Sequence, residues 1–273
     1  MDRRTGFLTF IATVLASAAL STSAQGLAPD CAAIRDANPG AGDGDYVIAP
    51  GGKAFGVYCH DMAGVPKEYL TLASTSPGAN RSTYGGIAQD VTTRFTRVRI
   101  DPVTLLVNVI DYTFSTSDGA DCCIGPTVIR SMPLGHASAC RGDFWDAGSA
   151  NVDLSGTPFV IDDVFTLRGW NPFGSANGAY AWWDFAGFAV QGPVVNLTGG
   201  GYCGGIGPNI HGGSFNSFPA DFGFDLQLAY TGAVLALDKD SCKSGGWRQY
   251  GVFRNQGDCV SYFTSGGNNP PAN

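Results

Sequence analysis

Apolar and polar positions along this chain alternate in short runs with the two-residue period of strands, and the 3.6-residue period of helices is rare. Segments rich in β-branched and aromatic residues at 45–49, 55–58, 69–73, 95–100, 105–114, 159–161, 194–197 and 224–230 predict strands. Turn-forming Gly, Pro, Asn and Asp separate them. Arg97, Arg99 and Asp101 alternate with Val98 and Ile100, which predicts a strand with one buried and one wet face. The stretch Asp101-Pro102-Val103-Thr104 then predicts a hairpin turn into the next strand. One helix is predicted, from residue 30 or 31 to 38, with Ala32, Ala33, Ile34 and Ala37 as its apolar positions and Pro39 as its stop. No fixed-period repeat is visible. The expected fold class is mainly β: a disulfide-stabilised antiparallel β domain with few short helices and long Gly, Pro and Asn loops.

The first 25 residues follow a different pattern. Arg3 and Arg4 precede an apolar run over residues 7–20 and a small-residue stretch ending at Ala24, the layout of a signal peptide. That run is shorter than the roughly 20 residues a spanning helix needs, so no membrane span is expected after cleavage. The expected location is secreted or extracytoplasmic. About 250 residues then remain, enough for one large β domain. We expect residues 1–25 to be the signal peptide, 26–237 the main β domain and 238–273 a small carboxy-terminal module.

All eight cysteines, Cys31, Cys59, Cys122, Cys123, Cys140, Cys203, Cys242 and Cys259, follow the expected cleavage site, and an even count in an exported chain reads as disulfides. Cys242 and Cys259 flank a glycine-rich aromatic turn, and a local bridge between them is the economical pairing. Adjacent Cys122 and Cys123 are expected to take separate partners, with a redox role as the alternative. The formal net charge is −7 with only 16 basic residues and no basic cluster, which argues against a nucleic-acid partner. Glu68 is the only glutamate among the 23 acidic residues, so any mechanism that needs a glutamate base must use it.

Several blocks fall in the order of one family. Cys31-Ala-Ala-Ile34 with Asn38-Pro39, Asp43-Gly-Asp-Tyr-Val-Ile48, Pro50-Gly-Gly-Lys53, the VYCHDM block from Val57, PKEYLTL from Pro66 and FTRVRID from Phe95 together resemble a GON domain. Leu154-Ser-Gly-Thr157 and Gly201-Tyr-Cys-Gly-Gly205 continue the resemblance, which extends to about Tyr230. GON domains form the carboxy-terminal module of some ADAMTS-type extracellular zinc metalloproteases, and similar domains occur in bacterial exported proteins. The opening also resembles fibrinogen-like recognition domains, and that resemblance implies a Cys31–Cys59 bridge. The last segment, with Cys242-Lys-Ser-Gly-Gly-Trp247 and Phe253-Arg-Asn-Gln-Gly-Asp-Cys259, resembles a short module found at the ends of many bacterial exported proteins.

No complete catalytic constellation is visible. There is no HExxH, and the three histidines, His60, His136 and His211, are far apart in sequence, so a zinc site would have to be assembled by the fold. His60 is the leading candidate because Cys59-His60-Asp61 sets three ligand types side by side, yet consecutive strand residues point to opposite faces. Gly212-Gly-Ser214-Phe-Asn216 is only a partial echo of a nucleophile elbow. Aspartates at 43 and 45, 162 and 163, and 238 and 240 are expected to be turn caps, and none matches a calcium-binding EF-hand loop. Asn80 and Asn196 head glycosylation sequons. The aromatic run that holds Trp170, Trp182 and Trp183 is expected to be core, unless a tryptophan faces outward and marks a binding surface.

Two classes of function follow. One is a non-catalytic extracellular binding module, with a protein or carbohydrate ligand at the Trp170, Trp182 and Trp183 surface. The other, implied by the family resemblance, is a zinc-dependent metalloendopeptidase or an accessory domain of one. Zinc is then the expected cofactor ahead of calcium.

Overall fold

The structure is a computed structural model that describes residues 26–73, 76–123, 125–141, 145–183, 186–208, 225–232, 238–250, 253–265 and 269; the side chains of 122, 123, 125–127 and 249 stand outside that description. His211, residues 212–216 and residues 1–25, which the sequence reading expects to be a signal peptide, lie outside the described residues. Among those described, no helix is long and apolar enough to cross a membrane.

The predicted helix is α1 (Cys31–Ala37), capped by the Asp30 carboxylate, which accepts the Ala33 N–H at 2.7 Å. A second carboxylate, Glu68 Oε1, accepts the Cys31 N–H at 2.8 Å. Asn38 ends the helix, its N–H donating to Ile34 O before Pro39 removes the next donor. Ile34 and the Cys31–Cys59 bridge fix the inner face of α1 to the sheet.

Nineteen strands are described: β1 (Gly44–Ile48), β2 (Phe55–His60), β3 (Lys67–Thr71), β4 (Arg81–Gly85), β5 (Val91–Phe95), β6 (Arg97–Ile100), β7 (Leu106–Asn108), β8 (Ser115–Asp118), β9 (Asp121–Cys123), β10 (Gly125–Ile129), β11 (Ala137–Ala139), β12 (Ala147–Asp153), β13 (Phe159–Trp170), β14 (Phe173–Ala176), β15 (Ala179–Ala181), β16 (Gly187–Gly192), β17 (Val194–Gly200), β18 (Cys203–Pro208) and β19 (Asp225–Tyr230). One half of the fold runs β1-β2-β3-β6-β7-β19. The other runs β8-β5-β4-β12-β17-β14-β15, with β11, β18, β13 and β16 continuing it. These pairings are antiparallel; β4 and β11 pair in parallel over two residue pairs.

Two stretches pass from one half to the other. Only Thr96 separates β5 from β6, and the single long strand β13 pairs with β19 at its start and with β18 at its end. The core fills the space between the halves. Ile48, Phe55, Val57, Val98 and Ile100 come from one half and Val152, Phe165, Leu167, Val195, Leu197 and Ile206 from the other. Phe55 meets Phe159 edge-on at 5.0 Å.

The sequence pattern holds where burial is one-sided. Val98 and Ile100 are buried while Arg97 and Arg99 are not, and Asp101 caps the predicted turn by accepting the Val103 and Thr104 N–H groups at 2.8 and 2.9 Å. Those bonds draw the Asp101 pKa below the usual carboxylate range. The single strand expected over 105–114 is corrected: only Leu106–Asn108 is strand. Leu105 takes a positive φ of 61°, and the side chains of Asn108 and Asp111 accept the N–H groups of Ile110 and Thr113, which turns the chain out of the ladder.

At the carboxy end, Cys242 bridges Cys259, joining the kinked 3₁₀ stretch Lys243–Tyr250 to α2 (Gln256–Thr264). Tyr250, Phe253 and Tyr262 pack with Leu27, Val47, Ala49 and Ala54, so this segment completes its small core on the side of β1.

The sequon residue Asn80 is buried, with a positive φ of 51°. Its side chain donates to Ala73 O and accepts the Asp153 N–H, at 3.0 and 2.8 Å. Asn80→Ala strands both backbone partners, and we expect a loss of about 2 kcal/mol in a denaturant titration. An unchanged midpoint would disprove the anchoring role.

Candidate functional site

The sequence-predicted site residues fall into three environments. His136 is fully buried just before β11, with Nδ1 3.0 Å from Leu134 O. Burial pushes its pKa down to about 4, so the ring is neutral at ordinary pH. Gly207 on β18 lies flat against that ring: a Cβ there would come within 2.2 Å of the imidazole. Gly207→Ala is therefore expected to destabilise the fold by about 3 kcal/mol through overpacking, and a variant as stable as the parent would refute this contact.

His60 lies at the end of β2 and is partly exposed. Its Nδ1 is 2.8 Å from Asp43 Oδ2, while Asp43 Oδ1 accepts the Met62 N–H at 2.8 Å. The Met62 bond, with help from His60, holds the Asp43 carboxyl below its usual range and therefore ionised. An ionised carboxylate on Nδ1 favours the Nδ1–H tautomer and leaves the Nε2 lone pair available. Around the ring stand Tyr58, Tyr69 and Phe114 at centroid distances of 6.5, 5.9 and 5.2 Å, and the Arg97 guanidinium lies over Tyr58 at 4.1 Å. A carboxylate-oriented imidazole is a fitting metal ligand or general base. It lacks company, however. Among the described residues no three His, Cys, Asp or Glu side chains are grouped as a metal ion needs. The donors described do not make up a zinc site.

Glu68, the one glutamate, stands where β3 faces α1 and spends one oxygen on the Cys31 N–H. Burial raises its pKa above the ordinary glutamate range. It borders a polar groove of about 340 Å³ with Arg99, Asp101, Asn108 and Asp225. Asp238 is the turn cap expected, taking the N–H groups of Asp240 and Ser241, but the expectation is corrected for Asp162 and Asp163: both lie within β13, where Asp162 takes Gln191 Nε2 and Asp163 takes the Val164 and Gln227 N–H groups.

The third environment gathers the tryptophans, and here the expectation that the aromatic run is core is corrected. Trp170, Trp182 and Trp183 are 63, 53 and 65% exposed. Trp182 and Trp183 do not alternate on a strand; they follow the end of β15, so no ladder turns one of them inward. The register explains why the aromatics collect. β17 ends at Gly200, which lies opposite both Ala147 at the start of β12 and Phe173 at the start of β14. Ala181 at the end of β15 lies opposite Gly174, and Trp170 at the end of β13 lies opposite Cys203 at the start of β18. Six strand ends therefore meet at one rim. The Cys140–Cys203 bridge ties β11 to it. Gly200, Gly201 and Gly204 let backbones close up there, since a Cβ on any of them would strike a neighbouring carbonyl oxygen within 2.5 Å.

Trp145 and Tyr202, which the sequence reading did not single out, belong to the same rim. Trp170 lies 5.5 Å from Tyr202, Tyr180 stacks on Trp182 at 6.5 Å, and Trp145 lies 6.1 Å from Phe173. Phe173 is buried and forms the floor. Beside them Arg141 pairs with Asp90 and lies 4.0 Å from Asp146. Tyr202 and Trp145 flank a cysteine block and a strand start, a position that shows its meaning only once register is known.

No curated protein and no solved structure matches the chain. The family comparison agrees with the resemblance read from Cys31, the VYCHDM block and Glu68: residues 28–89, which hold α1, β1 to β4 and the Cys31–Cys59 bridge, match the family model of the GON domain.

Proposed function

We propose that the protein is an exported, non-catalytic binding module whose contact surface is the aromatic rim. The observation that carries this is the exposure of Trp145, Trp170, Trp182 and Trp183 on one edge of a disulfide-braced sheet. Large apolar side chains left in water across several strand ends have a cost that a partner removes. Their setting favours tight binding, because aromatic side chains on a braced scaffold lose little entropy on contact.

The reading is tested by incubating the purified, disulfide-intact protein with cell-envelope and culture-supernatant material. Retention is expected for the parent and at least a tenfold loss for the Trp170→Ala, Trp182→Ala, Trp183→Ala triple variant. Equal retention of the two proteins would place the contact elsewhere and sink the proposal.

A zinc-dependent endopeptidase is the second reading, favoured by the company the family keeps and by the Asp43-oriented imidazole of His60. The expected result is no chelator-sensitive cleavage of an unfolded protein substrate and no retained zinc by elemental mass spectrometry. One zinc per chain lost in His60→Ala would reverse the order of the two readings.

A further inference from the structure

We infer that the rim takes a neutral polysaccharide; this rests on the binding reading above and names its ligand. A pyranose ring offers one face of C–H groups, which stacks on an aromatic plane, and an edge of hydroxyls, which needs planar hydrogen-bonding side chains at the border of that plane. The rim supplies both. The Trp170–Tyr202 pair is tilted by 36° and the Tyr180–Trp182 pair by 20°, so each forms a shallow aromatic ledge and not an edge-on core contact. The ledges stand at the ends of different strands, Trp170 at the end of β13 and Tyr180 on β15, and Trp145 and Phe173 pack together on the same rim. Two separate ledges on one rim suit an extended ligand of repeated sugar units better than a single sugar.

The polar border is Arg141, Asp90 and Asp146. The Arg141 guanidinium is engaged by Asp90, its Nε donates to Gly86 O, and Asp146 stands at 4.0 Å. Such a pair presents donors and acceptors in fixed directions with no unbalanced positive charge. Of the two basic side chains in the described rim segments, Arg141 is held by Asp90 and Asp146 and Arg168 on β13 is partly buried, and the whole chain carries −7. A polyanion, whether a sulfated glycan, an anionic lipid surface or an acidic peptide, would meet repulsion there. The carboxylates of Asp90 and Asp146 also oppose burial in a lipid interface, where charge is expensive. A neutral polyol satisfies the aromatic planes and the charged border together.

The test is electrophoresis of the intact protein through native gels cast with hydroxyethyl cellulose, a soluble β-glucan or glycol chitin, with chondroitin sulfate as the anionic comparison. Retardation is expected in at least one neutral gel and none in chondroitin sulfate. Trp170→Ala and Trp182→Ala should each weaken it at least tenfold with unchanged thermal melting, whereas Val103→Ala, an exposed apolar change in the β6–β7 turn, should leave it intact. Migration unaltered by every neutral gel, retardation by chondroitin sulfate alone, or tryptophan-dependent sedimentation with phosphatidylcholine vesicles would overturn the inference. Treatment of the envelope material separates the two levels of the argument. Rim-dependent retention destroyed by protease and not by periodate would overturn the polysaccharide while the binding module stands; absence of any rim-dependent retention would overturn both.

Discussion

Replacing Cys31 and Cys59 together by serine is expected to destabilise the folded protein by about 4 kcal/mol and to lower its melting temperature by roughly 10 °C. The two cysteines are 28 residues apart, and their bridge closes the loop that contains α1, β1 and the turn between β1 and β2. In the chain-entropy account, opening a loop of that length frees the unfolded ensemble by the stated amount. The native state adds to the loss, because positions 31 and 59 are fully buried in the core beside Ile34 and Val57 and the serines place two hydroxyls there. The Glu68 to Cys31 N–H bond depends on the same closure, so α1 should fray first. Hydrogen exchange over residues 31–37, read with the thermal shift, checks the prediction. A double-serine variant that melts with the parent and protects α1 equally would show that packing alone holds the helix.

The second large effect is a loss of stability on acidification through His136. Above about 6.5 the imidazole is neutral in the folded and unfolded chains alike, and it contributes nothing to the slope. Below that, the unfolded chain takes up a proton that the buried ring refuses until about pH 4. The folded state binds fewer protons across this window, so stability falls as pH falls from 6.5 to 4, by about 3 kcal/mol in all. Glu68 acts in the opposite sense. Burial raises its pKa above 4.5, so the folded chain holds a proton that the unfolded chain has released, and acidification through that range adds stability. Asp43, Asp101 and Asp111 have lowered values, and their contribution is lost only as pH drops below the ordinary aspartate range. His136→Asn keeps a donor for Leu134 O but cannot titrate, so its stability should vary less with pH between 4 and 6.5 than that of the parent. Glu68→Gln should steepen the acid loss. Urea titrations at pH 4, 5, 6 and 7 would measure both; a parent and His136→Asn with parallel profiles would refute the buried imidazole as the acid trigger.

How much could be read in advance differs by element. α1 was legible because its signals are local: Asp30 before it, apolar Ile34 within it and Pro39 after it. The hairpin around Asp101 was legible for the same reason, as its carboxylate caps a turn two and three residues away. The strand over 105–114 was overextended because hydrophobicity alone does not register the Asn108 and Asp111 side chains, which compete for the backbone and bend it. β14 and β15 were missed inside an aromatic run that looked like core. Their outward tryptophans follow from where the strands stop.

The sequence by itself determined the β class, the helix, the turn chemistry at Asp101 and the local Cys242–Cys259 pairing, since each depends on residues within a few turns or one short loop of one another. Its family resemblance carried the Cys31–Cys59 bridge. Only the tertiary structure decided that Cys140 joins Cys203, that Asn80 and His136 are buried, that His60 stands with Asp43, and that Trp145, Trp170, Trp182 and Tyr202 share one rim. Those outcomes depend on how distant segments come together: His60, Trp170 and Cys203 sit on strands, where a register shift of one residue turns a side chain to the opposite face, and the others sit in loops placed by the strands beside them.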